Sequence, residues 1–157
     1  MDIKRFLREN GVEFHVGTHP PRYTAQEVAA AEHVSGRMLA KPVILKADGR
    51  FVMAVVAAPQ MVAIVKLKGI LGTEDVRLAE EYEMRELFPD CEVGAEPPFG
   101  NLYDMETLVD ARLALHYEIV FQSGSHQETI RMKYADYERL AKPMIAEIAA
   151  PAEMPVG

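Results

Sequence analysis

The sequence predicts an α+β domain, a mixed, barrel-like β-sheet with helices packed around it. Three observations carry that prediction. Several short stretches alternate apolar and polar residues at the two-residue period of a strand. The helical stretches among them are short. Strands and helices do not follow the strict alternation that builds a doubly wound parallel sheet. The chain of 157 residues suits one domain, taken as residues 1–150, with a frayed tail at 151–157.

From the N-terminus, Ile3, Phe6 and Leu7 recur at helical spacing and Gly11 follows as a stop. Val12, Phe14 and Val16 alternate with Glu13 and His15, which makes a half-buried strand. Thr24-Ala25-Gln26-Glu27 is a capping-box pattern, and the alanine-rich run behind it predicts a helix ending near His33. Residues 41–47, the pair Asp48-Gly49 and residues 50–57 form the clearest hairpin, because Asp-Gly suits a two-residue primed turn. Pro59 ends its second strand. Residues 64–71 read as a helix closed by Gly72, 76–78 as a short strand, and 80–87 as a helix with glutamates at its start. Residues 89–101 are dense in turn formers. Residues 102–110 are partly strand and 111–115 a short helix. Residues 117–122 and 127–133, joined by Ser123-Gly124-Ser125, make a second hairpin. Residues 135–141 are helical, and the helix resumes at Pro143, where proline suits a first turn.

Composition removes whole classes of function. Hydrophobic residues at 49% and charged residues at 26% are ordinary globular values, so the chain is not disordered. No apolar run approaches the ~20 residues of a membrane helix. Met1-Asp2-Ile3-Lys4-Arg5 lacks the apolar stretch of a secretory signal, and the lone Cys91 cannot form an intrachain disulfide. These features predict a cytoplasmic protein with no membrane partner. A net charge of −7 argues against a protein that grips a long duplex, so DNA is not an expected partner. It leaves room for a local basic patch that recognises one terminal nucleotide.

Four features could carry chemistry. Lys41 shares a strand face with Val43 and Leu45, a core-facing register that is costly for an unpaired ammonium. At the mouth of a barrel that ammonium would meet a substrate anion; a lysine snorkelling from a strand end gives the same pattern. Gly94-Ala95-Glu96-Pro97-Pro98-Phe99-Gly100 combines permissive glycines with stiff prolines, as a rigid ligand-facing loop or an ordinary turn would. Ser123-Gly124-Ser125-His126 places a histidine at a hairpin exit, where it contacts an anion or is simply exposed. His15 and His19 have a zinc-like spacing, but Pro20-Pro21 and the strand pattern oppose the helix such a site needs. Cys91 sits in an acidic Pro-Asp-Cys-Glu setting that disfavours a thiolate nucleophile.

The order and spacing of these features resemble the YbaK family, which includes the editing insertion domain of bacterial prolyl-tRNA synthetase. The resemblance runs from about Ile3 to Leu140. It is carried by Ala40-Lys41 ahead of the Asp48-Gly49 hairpin, the Gly-x-x-x-Pro loop from Gly94 to Pro98 ending in Gly100, Ser123-Gly124, and Thr129-Ile130-Arg131-Met132. It implies a trans-acting deacylase that hydrolyses the ester of a mischarged aminoacyl-tRNA, with tRNA-Pro as the tRNA and prolyl-tRNA synthetase as an associated partner. It implies no cofactor and no metal. On the resemblance, Lys41 holds the 3′-terminal nucleotide of the tRNA, and Gly94, Pro98 and Gly100 shape the aminoacyl pocket. Ser123, Gly124, His126 and Pro97 lie beside the substrate. Two departures concern the acyl end. Pro42 stands where the family has a small polar residue, and Gly94-Ala95 with Pro97 replaces a Gly-Gly and a Ser or Thr.

The expected mechanism is positioning plus oxyanion stabilisation by backbone N–H groups of the loop or of Ser123-Gly124, since the ester is already activated. A non-catalytic module that binds aminoacyl-tRNA or a synthetase is the alternative, and hydrolysis of a small ester or thioester is a third.

Overall fold

The largest sheet grows from the Asp48-Gly49 turn. Strands β2 (Ala40–Ala47) and β3 (Arg50–Ala57) pair antiparallel from Ala40 opposite Ala57 to Ala47 opposite Arg50. Asp48 and Gly49 have φ of 49° and 80°, the left-handed pair of a type I′ turn. The computed structural model describes residues 2–18 and 36–151, and within them β5 (Val76–Leu78) joins the other edge of β2 at Leu45–Ala47. On the far side of β3 come β6 (Glu106–Asp110), parallel to it, and then β9 (Met144–Ala146), parallel to β6. The order is β5-β2-β3-β6-β9.

A second sheet has the order β1-β8-β7, with β1 (Phe14–Thr18), β8 (Glu128–Lys133) and β7 (Glu118–Gln122). A two-stranded ribbon pairs β4 (Gln60–Val62) with β10 (Ala149–Pro151). One parallel bridge, Leu39 to Val120, links the two larger sheets. The assembly therefore curls like a barrel but stays open, because edge strands β1 and β9 do not meet.

Four α-helices lie among the described residues: α1 (Ile3–Glu9), α2 (Ile64–Leu71), α3 (Glu81–Leu87) and α4 (Tyr134–Ala141). Asp2 caps α1 by accepting the N–H groups of Lys4 and Arg5 at 3.1 and 3.2 Å. Glu80 and Glu83 close a capping box on α3. The Glu83 carboxylate also takes both ends of the Arg77 guanidinium, at 2.7 and 2.9 Å, which ties β5 to this helix.

Both faces of the five-stranded sheet are covered. Inside the curl, Ile44, Met53, Val55, Phe99, Phe121 and Tyr137 form the main core, with Phe99 edge-on to Phe121 and Tyr137. On the outward face, Leu45, Val52, Val56 and Leu108 pack under Leu67 of α2 and Ile148. Alternation along β2 sends Ala40 and Ile44 inward and Leu45 and Ala47 outward. Burial on both faces explains why β2 and β3 read as nearly continuous apolar runs.

Several expectations are corrected. Residues 111–115 form only a 3₁₀ turn, Leu113–Leu115. The chain beyond Pro143 is strand β9, not a resumed helix: Lys142 turns left-handed at φ 49° and ends α4. The strand expected within 102–110 starts at Glu106, after a 3₁₀ turn over Gly100–Tyr103 and a left-handed Asp104. Val16 is 44% exposed, because β1 is an edge strand. The predicted helix at 24–33 lies outside the described residues. So does the expected tail, except Pro151, which ends β10. No helix among the described residues is long and apolar enough to cross a membrane.

Candidate functional site

The 94–100 loop is held at both ends. At its C-terminal end, every residue from Ala95 to Gly100 is buried. The Tyr137 hydroxyl donates to the Pro98 carbonyl at 2.7 Å, and the Gly100 N–H donates to Thr107 Oγ1 at 2.9 Å. A Cβ on Gly100 would stand 2.5 Å from that same Oγ1 and 2.9 Å from the Met105 carbonyl oxygen, so only glycine fits. Gly100 is thus a packing residue. The prolines belong to the core, not to a surface turn.

At its N-terminal end the loop is laced to the hairpin between β7 and β8. The Glu92 N–H donates to the Gly124 carbonyl and the Gly124 N–H to the Ala95 carbonyl, both at 2.8 Å. The His126 N–H donates to Glu92 Oε2 at 3.0 Å, and its ring Nε2 lies 2.8 Å from the Val93 carbonyl. A carbonyl only accepts, so Nε2 carries the proton. His126 is 4% exposed; it braces the loop from behind. Gly94 has φ 89°, and a Cβ there would touch the His126 ring at 3.4 Å. The Ser123 hydroxyl donates to Glu128 Oε1 at 2.7 Å, and Glu128 in turn pairs with Lys4 of α1 at 3.0 Å. Ser123 therefore secures the hairpin to α1.

These anchors use the donors that the expected oxyanion hole would need. The N–H of Gly94 goes to Glu96 Oε1 at 2.9 Å and that of Ala95 to the Glu92 carbonyl. Those of Phe99, Gly100, Ser123 and Gly124 go to Pro97, Thr107, Glu128 and Ala95. Pro97 and Pro98 have none to give. An oxyanion hole built from these six N–H groups is therefore not carried by the geometry; within the loop only the Glu96 N–H is not given to another residue, and it faces Glu96's own carboxyl.

Lys41 stands on the outward face of β2, opposite Val56. Its ammonium lies against the β3–β4 turn, donating to the Gln60 carbonyl at 2.7 Å and the Ala58 carbonyl at 3.4 Å. Burial lowers its pKa. Two of its three N–H groups are engaged among the described residues, which leaves one to offer. Pro42 falls where β2 has a single partner, between the β7 bridge at Leu39 and the β5 pairing at Leu45, so its missing N–H breaks no ladder on that edge.

What joins Lys41 to the loop is Gln122, a residue that sequence reasoning passed over. Two residues beyond the Leu39–Val120 bridge, the parallel strands β2 and β7 carry Lys41 and Gln122. Alternation puts both side chains on the outward face, since Ala40, Ile119 and Phe121 point into the main core. The Gln122 Nε2 reaches the Gly94 carbonyl at 3.4 Å. Its Oε1 is buried and has no hydrogen-bond partner among the described residues. On the same face, between Val120, Thr129, Arg131 and Gly17, lies a cavity of about 370 Å³.

Glu96 was missed too. It is 2% exposed, and burial pushes its carboxyl up despite the Gly94 N–H it accepts. In the sequence it is only a glutamate among turn residues, and nothing local marks its burial. Burial likewise pushes the Cys91 thiol up, away from a nucleophilic role. His15 belongs to no cluster among the described residues that could hold a metal ion, and His19 lies outside them.

The family model for the aminoacyl-tRNA editing domain matches residues 19–140. The multifunctional Ser/Thr-tRNA deacylase ProXp-y of Escherichia coli is 30% identical over 142 residues, covering 87% of this chain and 84% of its own. A proline–tRNA ligase of Bacillus cytotoxicus is 33% identical over 95 residues, 60% of this chain but 17% of the ligase. Among solved structures, that of a candidate trans-editing enzyme for prolyl-tRNA synthetase superposes with a TM-score of 0.84 at 20% identity, covering 95% of each chain. That last likeness is one of fold.

Proposed function

The chain belongs to the aminoacyl-tRNA editing domain family, and from that membership we infer that it is an enzyme, a trans-acting deacylase that hydrolyses the ester of mischarged aminoacyl-tRNA. The observation that carries the reading is the shared face of Lys41 and Gln122, with the braced Gly94–Pro98 loop attached through the Gly94 carbonyl. As finer proposals, the tRNA is tRNA-Pro, the protein works beside prolyl-tRNA synthetase in the cytoplasm, and the 3′ end of the tRNA is what it holds.

In this reading the remaining N–H of Lys41 meets the terminal nucleotide, and its cation lies closest to the charge that develops on the ester oxygen. An anionic partner offsets the desolvation that the half-buried ammonium bears. The unpartnered Gln122 Oε1 accepts from the α-ammonium of the aminoacyl group. A buried acceptor without a partner costs about 1–3 kcal/mol, which a bound donor relieves. The loop, fixed by Tyr137, Thr107 and His126, walls the amino-acid side chain. Such a wall discriminates by only ~1–3 kcal/mol per methylene, so near neighbours are separated modestly and bulky side chains strongly. Water adds to the ester carbonyl, and the ribose hydroxyl leaves. Positioning contributes most, because the ester is already activated.

A deacylation screen over tRNAs mischarged with each amino acid, with and without prolyl-tRNA synthetase, tests the reading. Turnover on a mischarged tRNA is the expected result. Binding across the panel with no turnover would establish the non-catalytic module instead.

A further inference from the structure

We propose a second binding site on this chain, for a phosphodiester of single-stranded RNA, in the cavity between the β3–β4 turn and residues 112–116. The inference rests on the deacylase reading and locates the RNA strand that leads to the aminoacyl end.

The cavity measures about 460 Å³ and is lined by Arg37, Gln60, Arg112, Leu113, Leu115 and His116, together with Ala57. Its described lining holds two guanidinium groups and an imidazole but no carboxylate, in a protein of net charge −7. The Arg112 side chain makes no ion pair among the described residues, while its backbone N–H is fixed by Asp110 Oδ2 at 3.2 Å. The turn thus presents a guanidinium that no described residue neutralises. Arginine forks match phosphate oxygens, and backbone phosphates supply most of the contacts that position a nucleic acid.

Two further features select RNA over a small anion. Gln60 lines the cavity with a buried amide oxygen that has no partner among the described residues. A ribose 2′-hydroxyl is a donor of the right kind. Leu115 of the lining is 85% exposed, and Tyr117, next in the chain after the lining residue His116, is 72% exposed, with the Lys133 ammonium 5.9 Å from its ring centre. An exposed aromatic ring beside a cation is a stacking platform for an unpaired base.

The position also fits. The Gln60 carbonyl that lines this end holds the Lys41 ammonium at 2.7 Å, so cavity and lysine are contiguous. Strand β7 runs from the His116 end to Gln122 beside the Gly94 loop. Its four steps, at ~3.3 Å each, span about 13 Å, the scale of a few nucleotides. A strand laid along β7 would set a phosphate at Arg112 and its terminal nucleotide at Lys41.

The test measures affinity for an RNA hairpin with a short single-stranded 3′ tail, and for the same hairpin without it, across a salt series. Arg112→Gln is expected to weaken binding of the tailed RNA several-fold and to lower the slope of log affinity against log salt by about 0.7. It should leave the tailless hairpin alone. Arg112→Lys keeps the charge and should retain most of the slope. Arg85→Gln, on exposed α3 and paired with Glu81, controls for loss of any positive charge. Equal affinity and slope for Arg112→Gln and wild type, or an equal loss in Arg85→Gln, overturns the site. Turnover by the wild type with an unchanged KM in Arg112→Gln sinks the site and spares the deacylase. Arg112-dependent binding of the tail with no turnover spares the site and sinks the deacylase.

Discussion

Replacing Gly100 by alanine should cost this protein stability and activity together, and the structure sets the size. The added Cβ would lie 2.5 Å from Thr107 Oγ1 and 2.9 Å from the Met105 carbonyl oxygen. One obstacle is a side chain and the other is backbone, so rotating Thr107 removes only the first. The loop must shift, and the 2.9 Å bond from the Gly100 N–H is lost with it. Overpacking costs about 1–3 kcal/mol, and an orphaned buried donor about 1–3 kcal/mol. Because one displacement causes both, about 2–4 kcal/mol is a fair combined figure. For a chain of this length each kcal/mol lowers Tm by roughly 2–4 °C, so a fall of about 5–15 °C is expected in a thermal melt followed by circular dichroism. Adding Thr107→Ala clears the nearer overlap but leaves the Met105 carbonyl and the unpaired N–H, so the double variant should recover only part of the loss. A Gly100→Ala protein that melts within ~1 °C of wild type would refute this steric account of the loop.

Other outcomes follow from the same anchors. His126→Ala should lower stability by about 1–3 kcal/mol and slow deacylation with it, since His126 braces the loop through Glu92 and the Val93 carbonyl; an unchanged melt and rate would remove the brace. Glu96 has a raised pKa in the fold, so the stability tied to it is full below the unfolded value near 4.5 and is lost as pH rises through the folded one. Glu96→Gln should therefore melt above wild type at pH 8, with the gap closing toward pH 4, and a pH-independent gap would contradict this. Hydrogen bonds from Arg77 hold the Glu83 carboxyl down at about 2, so its contribution is present above pH 4.5 and lost as pH falls toward 2. Arg77→Met should shift acid unfolding to higher pH, and an unmoved acid midpoint would argue against the pair.

Local chemistry was legible where it fixed structure locally. Asp48-Gly49 specified its hairpin, Gly72 the end of α2 at φ 70°, and the Tyr117–Lys133 alternation its two strands. Elements that depend on distant partners were not. Strands β4 and β10 have three residues each and exist because they pair with one another across the chain. Strand β9 is set by the left-handed Lys142 and by β6, not by its own pattern. At the site, period-two alternation correctly put Lys41 on one face with Val43 and Leu45. It could not say that this face turns outward, since both faces of β2 are buried. Gln122 ends an apolar run and Glu96 sits in a turn-rich stretch; only the bridge at Leu39 and the fold of the loop give them their setting.

The most direct test is single-turnover deacylation of a mischarged tRNA by Lys41→Ala, with a melt of the same sample. Losing the amine leaves the Ala58 and Gln60 carbonyls short of a donor, so Tm should fall by only a few degrees, while the rate drops by ~10²–10³. A folded Lys41→Ala protein that deacylates at the wild-type rate would contradict the assignment of the editing chemistry to this face.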